Sequence, residues 1–213
     1  MKKSSNKRWL KEHFTDLYVR RSKQEGFRAR SIYKLAEIND KYSLVGRGMV
    51  VVDLGAAPGG WSEYLVTAVG KTGQIFALDV LPMVPIQGVK IIRGDFFENE
   101  IAEYLQQFIG TKIDVVLSDI APNLTGVKQV DQLKSMELVN KAFEFATRTL
   151  KSGGSFLVKV FHGDNFNNFL GILRNSFYDV KIIKPKSSRS RSSEVFLLAR
   201  NFKSDVGDRG NVK

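Results

Sequence analysis

A chain of 213 residues, 43% hydrophobic, without cysteine and with His13 and His162 as its imidazoles, can bury one substantial core but lacks disulfides and the ligands of a zinc centre, so no metal is expected. No apolar run nears the roughly 20 residues that cross a bilayer, and the basic start has no apolar stretch behind it, which argues for a cytoplasmic protein with neither membrane span nor secretory signal. The net charge of +11 is unevenly spread: residues 1–47 hold 13 Lys/Arg against 5 Asp/Glu, residues 48–180 hold 11 against 14, and residues 181–213 hold 9 against 3.

Residues 1–47 read as a basic, helical extension. A mildly acidic body between two basic ends suits a protein that grips a polyanion while chemistry runs in the middle. Solubility is the competing explanation of basic ends, but it leaves the acidic centre unaccounted for. From position 48, short β-branched runs alternate with longer amphipathic ones, the pattern of a parallel sheet covered by helices. Strands are predicted over 49–54, 74–79, 89–93, 113–118, 154–160, 179–183 and 194–199, and helices over 62–69, 101–108, 132–150 and 166–176. On the last helix Phe166, Phe169, Leu170, Leu173 and Phe177 form one stripe, which is core packing. Residues 184–193 between the last two strands are too few for a crossover helix, so these strands should pair as an antiparallel hairpin. The expected body, residues 48–202, is α/β: a seven-stranded, mostly parallel sheet with a terminal antiparallel hairpin and helices on both faces. Residues 203–213, polar and glycine-containing, are expected to be disordered.

The first strand runs into Asp53-Leu54-Gly55-Ala56-Ala57-Pro58-Gly59-Gly60-Trp61-Ser62, a loop of small residues that opens a helix. Such a loop lets backbone approach a ligand, and the helix N-terminus offers N–H groups to a carboxylate or phosphate. Ala57 and Pro58 break the dinucleotide spacing, and Asp53 would repel a pyrophosphate while attracting an ammonium. S-adenosylmethionine carries both an ammonium and a carboxylate. Asp79 ends the second strand, where a carboxylate can accept from two ribose hydroxyls, and Asp95 follows the third, where it can accept from an adenine amino group. One aspartate at a strand end is usually a cap or turn, but three beside a glycine-rich loop point to a ligand at the carboxyl edge of the sheet. Together with the hairpin, this indicates the Rossmann-like, S-adenosylmethionine-dependent methyltransferase fold.

The fourth strand leads into Ser118-Asp119-Ile120-Ala121-Pro122-Asn123, and Lys159 sits inside the apolar fifth, Phe156-Leu157-Val158-Lys159-Val160-Phe161. A buried ammonium needs a carboxylate, so Lys159 should pair with Asp119. These stretches, with Arg30-Ser31-Ile32-Tyr33-Lys34-Leu35, the Asp53 loop and Ser187-Ser188-Arg189-Ser190-Arg191-Ser192-Ser193-Glu194, closely resemble the FtsJ/RrmJ family of heat-shock RNA 2′-O-methyltransferases, in register over residues 7–202. The resemblance implies a catalytic tetrad of Lys34, Asp119, Lys159 and Glu194, and cofactor contacts at Gly59, Trp61, Asp79, Asp95 and Asp119, to which the residue chemistry adds Asp53 and Gly55. It also implies a uridine of large-subunit ribosomal RNA as substrate, met in an assembled particle by a monomer. Transfer RNA, an mRNA cap, and a non-catalytic ribosome-assembly role are the alternatives, the last having no need of paired lysines and carboxylates.

For a ribose hydroxyl, a poor nucleophile, Lys159 is the candidate to orient it and manage its proton. Lys34 favours a neutral amine there by repulsion and the two carboxylates favour the ammonium, so the balance stays open; a charged Lys159 would instead stabilise the developing oxyanion. Phosphate grip is assigned to Lys7, Arg8, Lys11, Arg20, Arg21, Lys23, Arg28 and Arg30 on one flank and Lys186, Arg189 and Arg191 on the other, about half of these being ordinary surface charges. Trp9, Phe14, Tyr18 and Phe27 are expected to pack the N-terminal helices.

Overall fold

The computed structural model describes residues 16–96, 98, 100, 101, 103, 104, 113–122, 125–189 and 192–203. The expectations for Lys7, Arg8, Trp9, Lys11, Phe14, Asn123, Arg191, the tail from 204 onward and most of the helix over 101–108 lie outside these residues.

Among the described residues two helices precede the sheet, α1 (Leu17–Gln24) and α2 (Ile32–Tyr42). Asp16 caps α1, its Oδ1 accepting from the N–H groups of Tyr18 at 3.0 Å and Val19 at 3.4 Å. Then follow β1 (Val50–Leu54), α3 (Gly60–Val69), β2 (Gln74–Asp79), β3 (Val89–Arg93), β4 (Ile113–Ser118), α4 (Lys128–Thr149), β5 (Leu150–Phe161), α5 (Phe166–Ser176), β6 (Phe177–Ile183) and β7 (Glu194–Phe202). The seven strands run in the order β3-β2-β1-β4-β5-β7-β6. β3, β2, β1, β4 and β5 are parallel, and β7 is antiparallel to both β5 and β6, so the last strand is inserted between them.

Alternation along each strand divides the apolar residues between two cores. Val50, Val52 and Leu54 of β1, Val116 of β4 and Phe156, Val158 and Val160 of β5 face α4 and α5, meeting Met136, Phe145, Phe169 and Leu173. Val51, Val115, Leu117 and Leu157 face the other way, toward Leu35 and Ile38 of α2 and Trp61 and Leu65 of α3. Parity then places the polar residues. Asp53 shares a face with Val51, Lys159 with Leu157, and Glu194 with Phe196, all on the side covered by α2 and α3. The β5–β7 register sets Lys159 opposite Phe196 and Phe161 opposite Glu194, at the carboxyl end of β5.

Several boundaries differ from expectation by a few residues, β6 starting at Phe177 and β7 running on to Phe202, and two of the differences have local reasons. β5 begins at Leu150, where a helix is expected to end, and not at 154; the β4–β5 register shifts between Ile113 and Val115, and Gly153 takes φ +76° within the irregularity. α4 begins at Lys128 because Asp131 reaches back, accepting from the N–H groups of Thr125 at 2.6 Å and Gly126 at 3.0 Å. Among the described residues no helix is long and apolar enough to cross a membrane.

Candidate active site

The cofactor-side residues converge after β1, β2 and β3. Gly55 turns the chain at φ +69°, donating its N–H to the Leu78 carbonyl at 2.8 Å, and an added Cβ there would collide with Ile120. Asp79 accepts from Ala57 N–H at 2.8 Å through Oδ2 and from Leu81 N–H at 2.8 Å through Oδ1, which binds the small-residue loop to the end of β2. Gly94 donates to the Asp79 carbonyl at 3.1 Å, which brings Asp95 to the same edge. Gly59, at φ +109°, caps α3 and leaves the first-turn N–H groups of that helix pointing along its axis.

Two of the expected residues are committed inward. Asp53 is 1% exposed and accepts from the Ser62 hydroxyl at 2.7 Å. Burial pushes its carboxyl up to about 7 against the opposing bond from Ser62, with Asp119 and Asp79 adding to the rise. The Trp61 indole is buried, donates to the Ser31 carbonyl at 2.8 Å and lies 5.8 Å from the Phe196 ring, so only its backbone is placed to meet a ligand.

Lys34, Asp119, Lys159 and Glu194 come together from α2, the turn after β4, the end of β5 and the start of β7. Lys159 Nζ donates to the Asp119 carbonyl at 2.6 Å and lies 2.9 Å from Asp119 Oδ1. Lys34 Nζ is 2.8 Å from Glu194 Oε1 and 3.8 Å from Asp119 Oδ1, so Asp119 joins the two pairs. Both lysines are buried, at 8% and 7% exposure. Burial pushes the Glu194 carboxyl up, but Lys34, the Ser188 hydroxyl and Lys159 together outweigh it and hold it below the usual value. The quartet is charge-balanced, which is what makes burying two ammonium groups tolerable.

The basic residues divide. Arg30 forms an ion pair with Asp16 and donates to the Ser187 carbonyl; Arg189 also reaches Asp16, at 3.4 Å. Arg28 donates to the carbonyls of Val84 and Pro85, and Arg21 pairs with Glu25 at 2.8 Å on the surface. Glu37 accepts from the backbone N–H groups of Lys186 at 2.9 Å and Ser187 at 3.4 Å. Asp16 and Glu37 therefore fasten the β6–β7 loop to the N-terminal helices, a role that sequence reasoning missed because each partner is more than 140 positions away in the chain. Tyr18 and Phe27 do pack against a helix residue, with centroids 5.4 and 6.1 Å from the Tyr33 ring. A surface cleft of about 530 Å³ bounded by Tyr18, Tyr33, Glu37, Lys41 and Lys186 contains none of the four tetrad residues.

The edge of the sheet thus offers N–H groups at a helix N-terminus for a carboxylate, acids at the ends of β2 and β3 for ribose hydroxyls and an adenine amino group, and a turn that a side chain would fill. That donor set fits S-adenosylmethionine. A mostly parallel sheet ended by an antiparallel hairpin, with this constellation at its carboxyl edge, defines an S-adenosylmethionine-dependent methyltransferase. Residues 27–202 match the FtsJ-like methyltransferase family, and the chain belongs to it. It is 48% identical over 199 residues to the ribosomal RNA large subunit methyltransferase E of Legionella pneumophila, covering 93% of this chain and 97% of that protein. The crystal structure of a ribosomal RNA methyltransferase from Plasmodium falciparum is similar, with TM-score 0.74 and 30% identity over 83% of this chain and 98% of that one. MycE methyltransferase from the mycinamycin pathway, in complex with Mg and SAH, shares the fold at TM-score 0.54 and 15% identity, covering 83% of this chain and 48% of its own.

Proposed function

We propose that this enzyme methylates the ribose 2′-oxygen of a uridine in large-subunit ribosomal RNA, within the assembled subunit, working as a cytoplasmic monomer. The observation that carries the reading is the quartet of Lys34, Asp119, Lys159 and Glu194 at the cofactor edge, supported by the near full-length similarity to a ribosomal RNA large subunit methyltransferase. The basic extension, residues 1–47, serves as an RNA-binding arm that also carries Lys34, and residues 48–202 are the methyltransferase domain.

S-adenosylmethionine supplies an electrophilic methyl group that needs no further activation. Asp79 would accept from the ribose hydroxyls of the cofactor and Asp95 from its adenine amino group, Gly55 and Gly59 would leave it room beside the chain, the Trp61 backbone N–H would donate to its carboxylate, and Asp53 keeps the loop in place from beneath. Lys159, oriented by both oxygens that Asp119 presents, directs the substrate hydroxyl toward the methyl group and stabilises the negative charge that develops on its oxygen. The hydroxyl proton passes to solvent. Lys34, anchored by Glu194, adds a second positive charge to the same spot.

The test is mass-spectrometric mapping of ribose methylation in total RNA from cells with and without the protein. The expected result is one large-subunit uridine whose 2′-O-methyl disappears with the gene. A lost mark on transfer RNA or an mRNA cap, a lost base methyl, or no change refutes the assignment.

A further inference from the structure

Arg28 has the charge of an RNA contact and the geometry of a brace. Resting on the cofactor reading above, we propose that Arg28 is a positioning residue for cofactor binding, holding the loop over residues 80–86 against the start of α3, and is not a phosphate contact. Its guanidinium donates twice into that loop, Nη1 to the Val84 carbonyl at 2.7 Å and Nη2 to the Pro85 carbonyl at 2.8 Å. Its backbone N–H is fixed on the other side, donating to Oε2 of Glu63, in the first turn of α3, at 3.1 Å. Its stem passes over Gly59: a Cβ added there would meet Arg28 Cδ at 3.2 Å, Met83 Cε at 3.2 Å and Ile86 Cδ1 at 2.8 Å. Arg28 therefore bridges the two walls of the cofactor cradle, the glycine turn and the loop that continues from Asp79.

The loop needs such a brace. Val80, Leu81 and Val84 are 55%, 60% and 70% exposed, so burial does little to hold it, and polar contacts carry the work: Leu81 N–H to Asp79 and Arg93 Nε to the Val80 carbonyl at 3.3 Å at its start, Arg28 at its far end. The platform from which Arg28 reaches is itself rigid, because Ala29 sits against Gly60 and the Ser31 carbonyl receives the Trp61 indole. Two of the five guanidinium N–H groups are committed to the loop carbonyls, and a phosphate that took those two donors would release the loop just as substrate arrives.

The test uses the full chain as wild type, Arg28→Ala and Arg28→Lys, with S-adenosylhomocysteine titrated calorimetrically, KM and kcat for S-adenosylmethionine on large subunits, and RNA binding followed against salt. Arg28→Ala should raise the S-adenosylhomocysteine Kd and the cofactor KM by about tenfold, the loss of roughly one net charged hydrogen bond, with kcat within about twofold and the RNA salt slope unchanged. Arg28→Lys keeps stem and charge but cannot fork across two carbonyls, and should lie between, about threefold weaker than wild type. An unchanged cofactor Kd in both variants, or a salt slope reduced by about one with cofactor affinity intact, overturns the proposal. Should urea unfolding show that Arg28→Ala does not fold, Arg28→Lys decides alone: about threefold weaker binding supports the brace and wild-type affinity refutes it. A wild-type protein that binds no S-adenosylhomocysteine overturns the cofactor reading instead.

Discussion

Asp53 offers a perturbation whose size and pH dependence follow from its surroundings. It lies 1% exposed beneath the glycine turn, its carboxyl raised from 3.8 to about 7, chiefly by burial. Between those two values the folded protein holds a proton that the unfolded chain has released, so the stability this group contributes is full below pH 3.8 and is lost as pH rises through about 7. With about 1.4 kcal/mol for each tenfold change in proton affinity, the loss between pH 5 and pH 8 is on the order of 2–3 kcal/mol. Asp53→Asn is neutral at every pH and keeps an oxygen to accept from the Ser62 hydroxyl, so it should escape that loss. Urea unfolding of both proteins at pH 5, 6, 7 and 8, taken as a difference, cancels the titration of the other carboxylates. The variant should gain on wild type by about 2–3 kcal/mol across the range. A difference that stays constant within about 0.5 kcal/mol, or that moves the other way, refutes the account of Asp53 as a carboxyl kept neutral by burial.

Lys159→Ala should lower methyl transfer by about 10²–10⁴-fold while leaving the S-adenosylhomocysteine Kd within about threefold; normal turnover in a tritiated-methyl assay would remove Lys159 from the mechanism. Gly55→Ala should destabilise the fold by about 2–4 kcal/mol, from the φ of +69° and the collision with Ile120 together, and a urea midpoint equal to wild type would contradict the geometry of that turn.

Much of this protein was legible before folding was considered. Strand positions, the glycine turn after β1, the aspartates at the strand ends and the antiparallel pairing of the last two strands all follow from local periodicity and from a connection too short for a helix. The family likeness is likewise a matter of motif order along the chain. Chain-local patterns could not supply the placement of β7 between β5 and β6, or the parity that turns Lys159 and Glu194 toward the face on which α2 delivers Lys34. Those depend on register between strands remote in sequence. The same limit explains the basic residues: composition makes Arg28, Arg30 and Arg189 look like phosphate ligands, whereas the fold brings Val84, Pro85 and Asp16 within their reach. Asp53 shows the complementary case. Its identity and position at the strand end were plain from sequence, but its protonation is set by depth, and only tertiary packing decides how far a carboxyl lies from water.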